Sequence, residues 1–529
     1  MSRELDFLSR RVIAGQLNRR DFLGRAAALG VTATFANSLL SSAALAQTPV
    51  KGGLLKAGMV GGESTNTLDP ALALTQVMFL FGKCWGEYLL AVNPDGSLRN
   101  CIAEDFGSSD DAKVWTFKIR QGVEFHNGKT VTAEDVVATL ERHSDENSKS
   151  GALGVMRGIE SLKASGNEVI VSLKDGNADL PYLMTDYHLI IQPNGGKDNA
   201  AEGVSAGPYK VSVNEPGVRH GGERFANYWD QENMGFVDQV EILVINDDTA
   251  RMAALQGGQV DMINKVAPKV IELIKRAPGV TIQNASGPGQ YVFVAHCNTA
   301  PFDNNDLRMA LKLAIDRQEM VDKILMGYGS IGNDFPINNA YPLFADDVEQ
   351  RTFDPEKAKF HYQKSGHSGP VVLQVSDAAF PGAIDAAQLY QQSAAKAGIQ
   401  LEIKREPADG YWDEIWNKQP FCASYWGGRP TQDGMYSTAY LSTADWNDTR
   451  FKNEKFDQIL IQARTETDQD KRKAMYRDMA VIVRDEGGLI LPMFNDVIDA
   501  TGPRVAGYKT GKTHELRDGY ALNTCWVAG

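Results

Sequence analysis

At 529 residues the chain is too long for one core, since about 100–200 residues make a domain, and three or four units are expected. Its composition, 43% hydrophobic and 23% charged, is that of an ordinary globular protein. A net charge of −13 and a pI of about 5.2 argue against nucleic acid or an anionic membrane as the main partner, while leaving anionic small ligands open.

The chain opens on an address. Asn18-Arg19-Arg20-Asp21-Phe22-Leu23 resembles the twin-arginine export motif. A weakly apolar run follows, Ala26 to Leu45, and ends in the small-x-small site Ala44-Leu45-Ala46. This predicts an export signal over 1–46, cleaved near Ala46, and a periplasmic mature chain. Gly30, Asn37 and several Ser and Thr make the run a poor spanning helix. No Cys follows it to carry a lipid, so no membrane insertion is expected after cleavage. The first 46 residues hold six basic and three acidic side chains, which leaves 48 against 64, a net of −16.

A short strand over 53–59 is followed by Thr67-Leu68-Asp69-Pro70, and 71–92 predicts a helix running into a strand at Tyr88–Val92. The most regular stretch is 97–143. Val114 to Arg120 alternates, with Trp115, Phe117 and Ile119 on one face, as a half-buried strand does. Asn127-Gly128 is a tight-turn pair. Thr132-Ala-Glu-Asp135 is a capping box, Val131 and Val136 can staple it, and Val136, Val137 and Leu140 mark the inner face of a helix. Glu124 and His126 lack a third partner for catalysis, so a structural role is expected. Strands are predicted at 161–164, 168–173, 237–245 and 291–294, and a helix at 248–257. The order 371–375, 384–397, 399–405 is strand, helix, strand, with Gly398 at the helix C-terminus; it implies parallel pairing. Two amphipathic helices follow, at 455–464 and 470–485.

The run from Ile102 to Arg142 resembles one family closely: the solute-binding proteins of peptide-type ABC importers. Gly207-Pro208-Tyr209, Asn227-Tyr228-Trp229, Ala254 to Asp261, and Asn298 to Arg317 carry further matches. The resemblance implies an α/β, periplasmic binding protein-like fold with two lobes, a hinge and a ligand cleft. Lobe I would comprise 48–85, 200–290 and 491–529, with 86–199 as an extra subdomain packed on it and 291–490 as lobe II. It implies capture of a small organic solute by a monomer and delivery to ABC permease subunits, with no catalysis, cofactor or metal.

Two segments resemble the family's ligand contacts. One follows Asp69-Pro70 and maps onto Leu74, Thr75 and Gln76. The other runs from Phe421 to Asp433. Peptide-binding members commonly place an Asp three residues after the Trp here, and it holds a free amino group. Aligning on Trp426 puts Arg429 at that position and inverts the charge. A guanidinium suits a carboxylate or phosphate. An anionic or peptide-like solute of the opine or amino-acid-conjugate class is therefore expected over peptides with a free N-terminus. Arg429 pairing with Asp433 or another surface acid is the plain alternative. Trp426, Tyr425 and Trp412 are expected to line the pocket, Trp426 foremost, with Gly428 and Asp433 beside them; each ring would serve equally as core packing.

Two other classes stay open. One is a sensor that presents its closed form to a chemoreceptor; the other is an exported periplasmic enzyme. Against the enzyme, the sequence has no GxGxxG after a strand, P-loop or HExxH. Among five cysteines, Cys84 with Cys101 and Cys297 with Cys422 are the pairs to test for disulfides, leaving Cys525.

Overall fold

The computed structural model describes residues 49–528, except 95, 408–410, 445 and 467, together with 21, 22, 24 and 25. The twin-arginine pair and the cleavage site lie outside the described residues. Among the described residues no helix is long and apolar enough to cross a membrane.

The 97–143 block folds as its local rules dictate. Val114–Ile119 is a strand with Phe117 and Ile119 fully buried. Gly128 takes φ +83° at the turn, where a side chain would be strained. Thr132 Oγ1 accepts the Asp135 amide at 3.3 Å and Asp135 returns the bond at 3.0 Å, opening the helix Ala133–Ser144. Val131 and Val136 are buried in the same cluster as Leu140; each such side chain contributes about 1.5–3 kcal/mol. With Ala103–Ser108, Glu168–Leu173 and Ile159–Ser165, the strand makes a four-stranded antiparallel sheet. His126 closes this unit onto the chain that follows: its Nε2 meets Gly207 O at 2.9 Å. Burial pushes its pKa down to about 4, so it serves structure as a neutral ring. Asn227 donates to Glu124 at 2.8 Å nearby.

Two larger sheets make the lobes. The first runs Thr281–Ala285, Val497–Thr501, Met262–Ile263, Leu54–Met59, Gln239–Val244, Arg219–Arg224 and Tyr209–Glu215. The second runs Gly329–Ile331, Leu489–Asn495, Gln290–Ala295, Phe421–Trp426, Val371–Val375 and Leu401–Arg405. Within it, Val371 pairs with Leu401 in parallel around the helix Ala383–Ala395, and Gly398 takes φ +73°. The chain crosses between sheets over 286–289 and returns at Asp496. The boundary expected at 490 falls inside a strand, because Leu489–Asn495 stays in the second sheet. The two crossovers run side by side: Ala285 pairs with Val497, Asn495 N donates to Gly289 O at 2.9 Å, and Gln290 pairs with Phe494.

All five cysteines are free, which overturns both candidate disulfides. Cys84 packs under the first sheet, whereas Cys101 belongs to a separate cluster with Phe225, Tyr228 and Tyr520. Cys422 lies opposite Val294, and Cys297 is three residues farther along that segment. At about 3.3 Å per residue, this exceeds the reach of a disulfide.

Candidate ligand cleft

The strand Phe421–Trp426 delivers the predicted site segment to the lobe boundary. Its first four residues are buried, so its course is fixed by the core. Gly428 then passes against Pro288 of the crossover, so closely that a Cβ there would collide with the Pro288 ring. Only glycine admits that approach. Arg429 follows. Its amide donates to Tyr341 Oη at 3.1 Å, and its Nη1 donates to Gly427 O and Gly428 O at 3.4 and 3.2 Å. These neutral carbonyls leave the charge unmatched: among the described residues Arg429 has no ion-pair partner.

Its field reaches the other lobe. Asp186 is held down to about 2: burial would raise it, but the His188 ring at 2.7 Å and, further off, Arg429 outweigh burial. His514 is lowered by burial, opposed by Asp518 and Glu515, with Arg429 adding to the lowering. Burial raises the Tyr187 hydroxyl and Arg429 lowers it. Asp186, Tyr187 and His514 thus lie within the electrostatic reach of Arg429. Tyr187 stacks on Phe79 at 3.6 Å, and Phe79 meets His514 at 4.9 Å.

The segment after Asp69-Pro70 forms the neighbouring part of this wall. Thr75 caps the helix Gln76–Trp85, accepting Met78 N at 3.5 Å. Gln76 is half-buried, and Leu74 projects, 80% exposed. His188 Nε2 holds Ala73 O at 3.0 Å. Arg142, from the capping-box helix, grips both Asp69 oxygens at 2.6 Å. The sequence-regular block therefore anchors the loop that carries Leu74, Thr75 and Gln76.

The structure distributes the remaining candidates unevenly. Successive strand residues face opposite sides, so Tyr425 and Trp426 diverge. Tyr425 is 46% exposed and meets the partly exposed Trp412 edge-on at 5.4 Å. Trp426 is 4% exposed and donates its indole N–H to Asp448 at 3.0 Å. Asp433 is buried, and its Oδ1 accepts Arg464 Nε at 2.7 Å; the plain alternative pairing of Arg429 with Asp433 is absent. Asp186, Tyr187 and His514 went unread in the sequence, and only the compact Asp-Tyr-His run at 186–188 hinted at them. A surface depression of about 400 Å³ lined by Cys297, Arg308, Arg450 and Lys452 shares no residue with this wall. Among the described residues no three His, Cys, Asp or Glu side chains gather as metal ligands.

Residues 97–448 match the family described as bacterial extracellular solute-binding proteins, family 5. A glutathione-binding protein of Shigella flexneri serotype 5b is 23% identical over 466 residues, covering 84% of this chain and 90% of its own. Among solved structures, the periplasmic binding protein DppA of Helicobacter pylori, in complex with the peptide STSA, superposes with a TM-score of 0.79 at 19% identity, covering 91% and 99% of the two chains. AgaA of A. tumefaciens R10, in complex with agropinic acid, gives 0.78 at 22% identity over 90% and 99%. More than half of the chain, the whole of 97–448, carries the family pattern, and the two-lobed α/β fold agrees: the protein belongs to the family 5 bacterial extracellular solute-binding proteins.

Proposed function

We propose that the protein is the periplasmic receptor of an ABC importer and captures a carboxylate-bearing organic solute between its lobes. The amino-acid-conjugate or opine class is favoured over peptides with a free N-terminus. The observation that carries this reading is Arg429, a cation at the lobe boundary with only carbonyls for partners. An ammonium brought beside it would meet like charge, whereas a carboxylate completes a charge-assisted pair. Structures sharing the fold hold a peptide in one case and agropinic acid in another, so the scaffold admits both and the local charge chooses.

Binding draws on the hinge. A solute that touches both lobes only when they are closed shifts the population to that state by its differential affinity. The closed form then engages the permease. Export by the twin-arginine route, cleavage near Ala46 and a monomeric state belong to the same proposal; the N-terminal sequence and mass of the periplasmic protein check them.

The test begins with native mass spectrometry, to identify a solute that co-purifies. Titration of that solute into Arg429→Ala is expected to show a loss of about 1.5–3 kcal/mol, roughly ten- to a hundredfold in Kd. An affinity within about twofold of wild type overturns the carboxylate role.

A further inference from the structure

Five aromatic rings of the second lobe form one connected surface beside Arg429. Trp416 and Trp426 donate their indole N–H groups to the same oxygen, Asp448 Oδ2, at 2.9 and 3.0 Å. Asp448 is fully buried, and its other oxygen has no partner among the described residues. Trp446 rests on this pair, 6.1 Å from each ring. Trp412 meets Trp416 at 5.9 Å and reaches Tyr425 at 5.4 Å. The two inner indoles are thus fixed by one carboxylate. The outer three rings stay open: Trp412 is 37% exposed, Tyr425 46% and Trp446 51%.

Trp412 and Tyr425 are in direct contact, and Trp446 is linked to them through Trp416. Exposed rings tied together in this way form a patch rather than scattered apolar residues, and such patches mark binding surfaces. The surroundings indicate which occupant. Tyr425 stands four residues before Arg429, at the end of the strand that enters the lobe boundary. The hydroxyl of Tyr187, on the opposite lobe, lies in the fields of both Arg429 and Tyr425. A solute whose charge sits on Arg429 therefore has this shelf as its next neighbour.

We propose that the Trp412–Tyr425–Trp446 shelf is a second subsite of the same cleft and takes a flat ring carried by the solute, and that Asp448 is the positioning residue holding the shelf in register. The inference rests on the carboxylate reading of Arg429 and narrows it: the ligand class becomes ring-bearing carboxylates. Edge-to-face rings locked from below lose little freedom when a further ring settles on them, and that pre-organisation favours tight stacking.

Four probes separate the two subsites: N-benzoylglycine, N-acetylglycine and the amide of each, titrated calorimetrically at up to millimolar concentration. Wild type is expected to prefer the benzoyl acid over the acetyl acid by about tenfold, the order of one well-placed aromatic contact. Trp412→Ala and Trp446→Ala, both at exposed positions, are expected to bring that ratio to within about twofold while keeping the preference for acid over amide. Arg429→Ala is expected to do the reverse. Asp448→Asn should weaken the ring preference and shift tryptophan emission, again leaving the acid preference intact. A loss restricted to the acid preference would refute the carboxylate reading alone. A ring preference that survives both tryptophan variants, or a wild type that binds none of the probes, overturns the shelf.

Discussion

Asp179 and Arg472 meet at 3.0 Å across the lobe boundary, with side chains only 8% and 6% exposed. Arg472 also donates to Ala463 O and Tyr476 Oη, and next to the pair Ala178 N donates to Arg464 O at 2.8 Å. Arg464 in turn binds Asp433, four residues beyond Arg429. A short path of bonded groups thus joins the candidate solute wall to a clasp between the subdomain and the second lobe. Burial raises the Asp179 pKa even beside Arg472, so the intact pair gains little, while removal of one partner strands a buried charge at a cost of about 3–5 kcal/mol.

Asp179→Asn is accordingly expected to favour the open form. Small-angle scattering should show a larger radius of gyration without ligand, and solute affinity should fall at least about tenfold, a fraction of that cost. Adding Arg472→Met should recover part of the loss. An unchanged radius and affinity in Asp179→Asn would remove the clasp from the closing equilibrium.

Asp499 sets a pH dependence. Its Oδ2 accepts Tyr508 Oη and Leu516 N, both at 2.7 Å, and burial, with Glu515 adding, pushes its carboxyl up to about 8. The folded state then holds a proton that the unfolded chain releases near its ordinary value of 3.8. Stability from this group is full below about pH 4, falls as pH rises, and levels off above about pH 8, with a slope of up to ~1.4 kcal/mol per pH unit. His126 and His143, lowered by burial to about 4, act in the opposite sense and only below their ordinary 6.5. Burial lowers Lys312 to about 7 and Lys83 to about 8, and these groups add stability as pH rises above those values. It is therefore the denaturant midpoint of wild type relative to Asp499→Asn that should decline between about pH 6.5 and 8. Parallel curves for the two proteins would contradict the assignment.

Five free thiols make a plain chemical forecast. Alkylation under denaturing conditions without reductant should add five adducts. In the native state Cys297, the one thiol that is not fully buried, should react first, and slowly, because burial raises its pKa. A mass two daltons low for a bridged pair would restore a disulfide.

The crossover offers a steric test. A Cβ on Gly287 would lie 2.6 Å from Lys512 O and 3.1 Å from Val497, whereas one on Gly427 would meet nothing within 4 Å. Gly287→Ala is expected to cost about 1–3 kcal/mol by overpacking, and Gly427→Ala to stay within about ±0.5 kcal/mol. Thermal unfolding of the pair decides; equal melting temperatures would deny the close approach.

What the sequence made legible was local. The capping box at Thr132, the turn at Asn127-Gly128 and the parallel pairing of 371–375 with 401–405 rest on contacts a few residues apart or on a single helix between strands, and each appears in the structure. Arg429 was singled out by spacing from Trp426, and its segment does reach the lobe boundary. The residues within its electrostatic reach were illegible, because Tyr187 and His514 meet Phe79 through separations of about a hundred and over four hundred positions. Side-chain direction was lost for a different reason. Trp426, next to Gly427 and Gly428, is the foremost pocket candidate in the sequence; strand alternation and an acceptor at Asp448, 22 positions away, turn it inward.

The adjacent crossovers carry a mechanical consequence. The two linking strands travel as one paired ribbon from sheet to sheet, tied by Asn495 to Gly289 and by Asn284 to Asp496 at 2.8 Å. A twist imposed on either strand would be handed to its companion, so any relative motion of the halves would turn about one axis instead of sliding independently. One spectroscopic ruler spanning the gap therefore suffices to follow the whole working stroke.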